Sequence, residues 1–278
     1  MRVVVTGASG FLGGAVARAL SERPEVEVIR VSRRPLPNGV RVTDYDEAPP
    51  ADLLVHLAQD PDRGRVNAAG TTTENAAVET VKALVSKGYQ RVVFASSAAV
   101  YGHASDQPHT PADPVVANDS YARMKLRCER EVQEHGGAAV RLANAYGPGM
   151  SATNVFSIIL SQIPGEGPLR VQDVVPVRDF LWIDEAADGF ARLACGEFEL
   201  PPVVHLGTGV GTSVGEAAKI ALRVAGEENR EVIATGPSAE KSTVILAFRE
   251  TTELCGWRPA INVHQGLSRL LQLQSTAS

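Results

Sequence analysis

Two residues in the segment "SYARMK", Tyr121 and Lys125, are spaced four apart on a predicted helix and so share one of its faces. A phenol titrates near pKa ~10, and a neighbouring ammonium is expected to favour the phenolate and draw that value toward neutrality. Such a pair suits proton transfer to or from a substrate oxygen. A second stretch, "VVVTGASGFLGG", sets Gly7, Gly10 and Gly13 directly after a strand and at the mouth of a helix. Glycines permit a sharp turn and let backbone N–H groups approach a pyrophosphate, to which the helix N-terminus adds its dipole. A third is "EVIRVSRRP". Ser32 lies 19 residues after Gly13, where a dinucleotide fold that selects NAD carries an acid for the ribose hydroxyls. A serine followed by Arg33 and Arg34 instead offers a hydroxyl donor and guanidinium groups to a 2′-phosphate. This predicts NADP(H) as the preferred cofactor, with NAD(H) possible. Arg33 is the better placed, because Arg34 precedes Pro35; the competing reading is two solvated charges in a turn.

These residues need a scaffold, and the hydrophobic pattern supplies one. Short apolar runs at 2–6, 27–32, 52–57, 91–96 and 138–143 are continuous and β-branched, as expected of strands covered on both faces. They alternate with amphipathic stretches at 11–21, about 72–87, 119–135, 184–195, 213–225 and 262–273, the pattern of βαβ units and a parallel sheet. With 278 residues, 44% of them hydrophobic, the chain is long enough for one large α/β domain or two interleaved ones. It holds no apolar run suited to a membrane span. A net charge of −5 without long blocks of either sign argues against nucleic acid as a partner. The three cysteines form no CxxC pair and the six histidines no HxxxH or HxH pair, so no metal site is expected and a reduced, cytoplasmic setting is. A strand that begins at once in "MRVVVTG" leaves no expected place for a signal peptide.

"TGASGFLG" resembles the TGxxGxxG loop of the extended short-chain dehydrogenase/reductase family, the nucleotide-sugar epimerases, dehydratases and ketoreductases. The likeness continues in order through "HLAQ" (56–59), "ASSAAVYG" (95–102), "SYARMK" (120–125), "RLANAYGPG" (141–149), "VRDFLWIDEAA" (177–187), "HLGTG" (205–209) and "LCGWRP" (254–259). The resemblance implies an α/β, Rossmann-type doubly wound parallel sheet with a smaller C-terminal substrate-binding lobe. It implies a catalytic Ser97, Tyr121 and Lys125, with Lys125 also on the nicotinamide ribose and Ser97 on the reacting oxygen. Ser96 is the alternative serine, and a local cap the alternative role. The cofactor residues it implies are Gly7, Ser9, Gly10, Phe11, Leu12 and Gly13, with Ser32, Arg33, Arg34, Asp44 at the adenine, Leu57, Ala58, Tyr121 and Lys125. Substrate contacts are implied for Ser97, Ala98, Asn144, Asn154 and Arg178. A buried structural role is the alternative for Asn144, and a surface ion pair with Asp179 is the alternative for Arg178.

Two departures matter. The segment after Ser97 lacks the Asp-Glu pair of the 4,6-dehydratases, and Ala99 stands where many epimerases carry Ser or Thr. "GPSAEKST" (236–243) lacks the arginine that grips the nucleotide diphosphate in relatives, for which Lys241 or Arg249 could substitute. His103 and His109 fall in the loop between Ser97 and Tyr121 and receive no role. The expected organisation is residues 1–147 with 177–206 as the NAD(P)-binding domain, and 148–176 with 207–278 as the substrate lobe. The expected activity is NADPH-dependent reduction of a nucleotide-linked keto-sugar of the 4-keto-6-deoxyhexose type. The alternatives are a nucleotide-sugar 4-epimerase and a non-catalytic dinucleotide-binding sensor. A homodimer is expected, built on the helices at 72–87 and 119–135, with Ala76, Ala77, Val81 and Leu84 at a partner or in the chain's own core.

Overall fold

The computed structural model describes residues 1–102, 105, 107–237 and 242–277, so His103 and Lys241 lie outside the described residues. Its centre is a seven-stranded parallel sheet. The chain first lays down β1 (Arg2–Thr6), α1 (Phe11–Ser21), β2 (Glu27–Ser32) and the two-residue β3 (Val40–Arg41). It then crosses back to β4 (Leu53–His56), followed by α2 (Arg63–Ala69), α3 (Thr71–Val85), β5 (Arg91–Ser97), α4 (Ser120–Glu134) and β6 (Ala138–Leu142). After β7 (Asn144–Tyr146), α5 (Val155–Leu160), β8 (Leu169–Val171), β9 (Val177–Trp182) and α6 (Ile183–Cys195), β10 (Val203–Leu206) returns to the sheet beside β6. The strand order is β10-β6-β5-β4-β1-β2-β3, so the order reverses between β1 and β4 and a crevice opens at their carboxyl ends.

Successive side chains of each strand enter opposite cores. Val3, Val5, Val55 and Val93 pack with α1 and α6, whereas Val4, Leu54 and Phe94 pack with α3 and α4. Both faces are covered, which is why the strands read as unbroken apolar runs. The five strands and six helices expected from the sequence all form, with ends moved by a few residues. Val81 and Leu84 of α3 are buried in the chain's own core, so the inward alternative holds for them. Neither α3 nor α4 carries an exposed large hydrophobic side chain.

The remainder of the chain builds a second layer of short strands. β11 (Gly211–Ser213), β13 (Thr243–Val244) and β7 all pair with β9, and β12 (Val232–Ala234) pairs with β8. α7 (Val214–Ala225) packs on α5 and on α9 (Val263–Ala277). After α8 (Arg249–Cys255), Trp257 is buried and its indole N–H donates to the Glu185 carbonyl of α6 at 2.9 Å, which pins the C-terminal segment to the main domain. No helix among the described residues is long and apolar enough to cross a membrane.

Two buried histidines are held in neutral form. His56 Nδ1 pairs with Thr6 Oγ1 at 2.8 Å, and burial, aided by the Lys125 charge, pushes its pKa down to about 3. His205 Nε2 pairs with the Tyr101 hydroxyl at 2.7 Å, and burial pushes it down to about 4 against the opposing bond to the Ala247 carbonyl. Above their ordinary value of 6.5 neither ring distinguishes folded from unfolded chain. Below it the unfolded chain binds more protons, so stability is lost as pH falls toward about 4. Near pH ~5 the two rings together should give a slope of about 2.7 kcal/mol per pH unit. Urea unfolding at a series of pH values should show this decline, and His205→Gln should flatten it by about half. An unfolding midpoint equally pH-dependent with and without His205 would contradict the assignment.

Candidate active site

The turn between β1 and α1 is shaped as a cradle for an anionic group. Gly7 has φ of +72°, and a Cβ on it would stand 3.0 Å from both Ala58 Cα and the Leu57 carbonyl carbon. A Cβ on Gly13 would stand 2.1 Å from the Gly7 carbonyl oxygen, so helix and turn touch backbone to backbone. Gly10 caps α1 without a side-chain bond, and no acid occupies the first turn. The N–H groups of Phe11, Leu12 and Gly13 therefore start the helix with no carboxylate competing for them. Ser9 and Gly10 are exposed, and Phe11 and Leu12 half-buried, on the same crevice edge. These residues fit a dinucleotide pyrophosphate.

At the end of β2, Ser32 is fully buried and its hydroxyl donates to Ser9 Oγ at 2.6 Å while accepting the Arg34 N–H at 3.0 Å. It ties β2 to the glycine turn rather than presenting its hydroxyl outward. Arg33 and Arg34 are exposed, and the Arg33 guanidinium lies over the Tyr45 ring at 5.4 Å. Arg33 lines a cavity of about 440 Å³ together with Arg41, Val42, Thr43 and Glu47. Arg41 went unnoticed in the sequence because the two residues of β3 carry no periodic signal. Asp44 caps a single 3₁₀ turn, Tyr45–Glu47, by accepting the Tyr45 N–H at 2.7 Å, and Glu47 returns the cap to the Asp44 N–H.

β5 and α4 bring the proton-transfer group together at the same crevice. Ser97 ends β5, with its Oγ accepting the Ala99 N–H at 3.2 Å, and Ala98 is buried in the turn that follows. Tyr121 and Lys125 lie one turn apart on α4, with Lys125 Nζ 5.7 Å from the Tyr121 ring centroid. Burial raises the Tyr121 phenol above its usual value, against a hydrogen bond with Ser97 and the charge of Arg63, both of which lower it. The expected lowering by the ammonium is thus reversed. Lys125 Nζ donates to the Ala95 carbonyl at 2.8 Å instead, and burial draws its own pKa down to about 8. The phenol is held protonated and buried, next to the Ser97 hydroxyl.

Ser96 is turned away, its hydroxyl donating to the buried Glu129, which also pairs with Arg141 at 2.8 Å. His109 is buried, stacked on Tyr101 at 4.3 Å and joined to Asp113 at 3.1 Å, which accounts for it as a structural residue. On the opposite wall, Asn144 begins β7 and is exposed, so its buried alternative does not hold. Asn154 caps α5 by accepting the Phe156 N–H at 2.9 Å. Arg178 is half-buried on β9 and donates to the Val177 and Ser242 carbonyls, each at 2.8 Å. Its suggested pairing with Asp179 is not formed. Neighbours on a strand point to opposite faces, and Asp179 is buried, accepting from Thr208, Gly209 and Leu246. Arg249 is exposed and paired with Glu253 at 2.8 Å. The larger groove, about 780 Å³, runs along α7 and is lined by none of these residues.

Residues 3–196 match the model of the NAD dependent epimerase/dehydratase family. The chain belongs to that family. It is accordingly an NAD(P)-dependent enzyme, and the resemblance in its motifs and its doubly wound fold both hold. Among the relatives of this family member is the dTDP-6-deoxy-L-talose 4-dehydrogenase (NAD(P)(+)) of Kitasatospora kifunensis, 27% identical over 315 residues covering 99% of this chain and 96% of the relative. The dTDP-L-rhamnose 4-epimerase of Burkholderia thailandensis is 24% identical over 347 residues, covering 97% and 93%. The solved structure of TunA, an NAD-dependent NDP-hexosamine 5,6-dehydratase involved in tunicamycin biosynthesis, superposes with a TM-score of 0.84 at 25% identity over 99% of this chain and 98% of that one. The three names describe a dehydrogenation, an epimerisation and a dehydration, so family membership leaves the reaction itself open.

The cradle makes a sharp prediction. Gly13→Ala drives a methyl group into the backbone of Gly7, where overpacking costs about 1–3 kcal/mol. Dinucleotide binding should weaken by about tenfold or more, measured by quenching of protein fluorescence on titration with NADPH. Unchanged affinity would place the dinucleotide elsewhere.

Proposed function

We propose that this enzyme reduces the keto group of a nucleotide-linked sugar of the 4-keto-6-deoxyhexose type, with NADPH as the preferred reductant. The observation that carries this reading is the Tyr121 phenol, buried and protonated beside Ser97, which is the state a proton donor must occupy before reduction. A bound nicotinamide supplies the hydride. As charge gathers on the substrate oxygen, the hydroxyls of Ser97 and Tyr121 donate to it, and Tyr121 gives up its proton. The Lys125 ammonium, 5.7 Å from the ring, stabilises the negative charge that this leaves on the phenolate. The same lysine would hold the nicotinamide ribose, and the N–H groups of the glycine turn the pyrophosphate. Arg178, together with the exposed Asn144, would meet the sugar nucleotide on the far wall. The dTDP-6-deoxy-L-talose 4-dehydrogenase among the relatives acts on the corresponding alcohol, which supports the substrate class.

The cofactor preference rests on Arg33 and Arg41, which line one cavity at the end of β2 where an acid would repel a 2′-phosphate. A hydrogen bond to a charged group contributes about 1.5–3 kcal/mol, so NADPH should bind at least about tenfold more tightly than NADH. Arg33→Ala and Arg41→Ala should each weaken NADPH and leave NADH nearly unchanged. Equal losses for both cofactors would show that these arginines do not read the phosphate.

The 4-epimerase among the relatives favours a second reading, in which the same serine, tyrosine and lysine oxidise and re-reduce one sugar carbon with the cofactor retained. A panel of nucleotide 4-keto-sugars, followed by nicotinamide absorbance, separates the two. Stoichiometric loss of NADPH is expected, and Tyr121→Phe should slow it by about 10²–10⁴-fold with cofactor affinity unchanged. Interconversion of two sugar epimers without net cofactor change would establish the epimerase instead.

A further inference from the structure

The first turn of α4 is held from outside the helix by α2, a short element between β4 and α3. Helix N-termini leave backbone N–H groups without intrahelical partners, and here each of the next two after Ser120 has a specific acceptor. The Ala122 N–H donates to Asp119 Oδ1 at 2.8 Å, the ordinary cap. The Tyr121 N–H, which the cap does not reach, donates to Asn67 Oδ1 of α2 at 2.9 Å. Asn67 Nδ2 in turn donates to Asp119 Oδ2 at 3.1 Å, and Arg63 Nε donates to the same oxygen at 2.5 Å. One asparagine therefore grips both the backbone of the catalytic tyrosine and the carboxylate two residues before it. α2 itself buries only Val66, so these polar contacts rather than a core hold it in place. Asp62 caps it by accepting the Arg65 N–H at 3.0 Å, and Arg65 is bound to Asp60 at 2.8 and 3.1 Å.

We propose that α2 is the positioning element of the proton donor: Arg63 and Asn67, through Asp119, fix the first turn of α4 and set the charge around the Tyr121 phenol. The proposal rests on the reading of Tyr121 as that donor. The charged groups acting on the phenol come from three directions. Arg63 on α2 favours its ionised form, Asp119 on its own helix and Asp60 in the turn after β4 oppose it, and Lys125 lies one turn along. Burial would raise Asp119, yet the bonds from Ala122, Arg63 and Asn67 together keep it below the usual carboxylate range, so Asp119 is a carboxylate at neutral pH. Neither Arg63 nor Asn67 touches reacting atoms; both act through Tyr121.

The test titrates the tyrosine directly. In protein labelled with ¹³Cζ-tyrosine, the Tyr121 signal among the five tyrosines is the one missing from Tyr121→Phe. Arg63→Gln should raise the Tyr121 pKa by about one unit, and Asp119→Asn, whose amide still caps the helix, should lower it by a similar amount. Arg63→Lys should return the value to that of the parent protein. Asn67→Ala should speed hydrogen exchange at the Tyr121 amide by about threefold to tenfold. An unmoved titration in both Arg63→Gln and Asp119→Asn, or exchange unaffected by Asn67→Ala, would overturn the proposal. These readouts need no substrate, so they stand whichever sugar is the true one. Full turnover by Tyr121→Phe would instead overturn the proton-donor reading on which the proposal rests.

Discussion

Backbone-to-backbone contact between the turn after β1 and the turn after β4 is the constraint on which the site depends. Those two strands are neighbours in the sheet, yet the chain leaves them toward opposite edges, and only there does a crevice open. The crevice exists at useful depth because Gly7 lies against Leu57 and Ala58, and Gly13 against Gly7, with no side chain between. A methyl group at either position would push the helix from the strand ends and carry the N-terminus of α1 away from its target. Everything else in the site is placed relative to this contact. The Ser32–Ser9 bond ties β2 to the same turn, and the Ser97 and Tyr121 walls rise from β5 and α4 beside it.

Burial supplies the chemistry that the residue types alone do not. Tyr121 and Lys125 are an ordinary phenol and amine, and in water each would sit near its reference value. Enclosed by Phe94 and the α4 backbone, the amine loses affinity for its proton and the phenol holds on to one. Desolvation penalises the charged form of each, so the phenol's value moves up and the amine's moves down, away from one another. The crevice is thus lined by a phenol that keeps its proton and, one turn along, an amine that releases its own more readily.

Much of this was readable in the sequence, and the parts that were not have definite causes. The strands and long helices announced themselves because both faces of the sheet are covered and the helices are amphipathic. α2 gave no such signal: its only buried side chain is Val66, and it is held by Arg63 and Asn67, whose partners lie far along the chain. The short strands β7, β8 and β11 to β13 escaped for a similar reason, since two or three residues carry little periodicity. That Arg178 and Asp179 face apart is legible in the sequence, since neighbours on a strand alternate between its faces. The direction of the Tyr121 shift is not legible in the sequence, because the spacing of two residues says nothing about how deeply they are buried, nor that Lys125 spends a hydrogen bond on the Ala95 carbonyl.

The place of β10 has a consequence for how the chain is made. β6 ends at Leu142, and its sheet partner β10 does not begin until Val203, so about sixty residues must follow before that edge can be covered. A nascent chain that has folded β1 through β6 thus carries a bare parallel edge of Ala138–Leu142 while β7, α5, β8, β9 and α6 are still being synthesised. At synthesis rates of about 5–20 residues per second that interval is several seconds, long enough for an uncovered strand to meet another chain. The edge is short and includes Arg141, whose guanidinium is already claimed by Glu129 of α4. A charge fixed inside the growing sheet makes pairing with a stray strand less favourable. The ion pair that braces the finished domain thereby also guards the unfinished one on the ribosome.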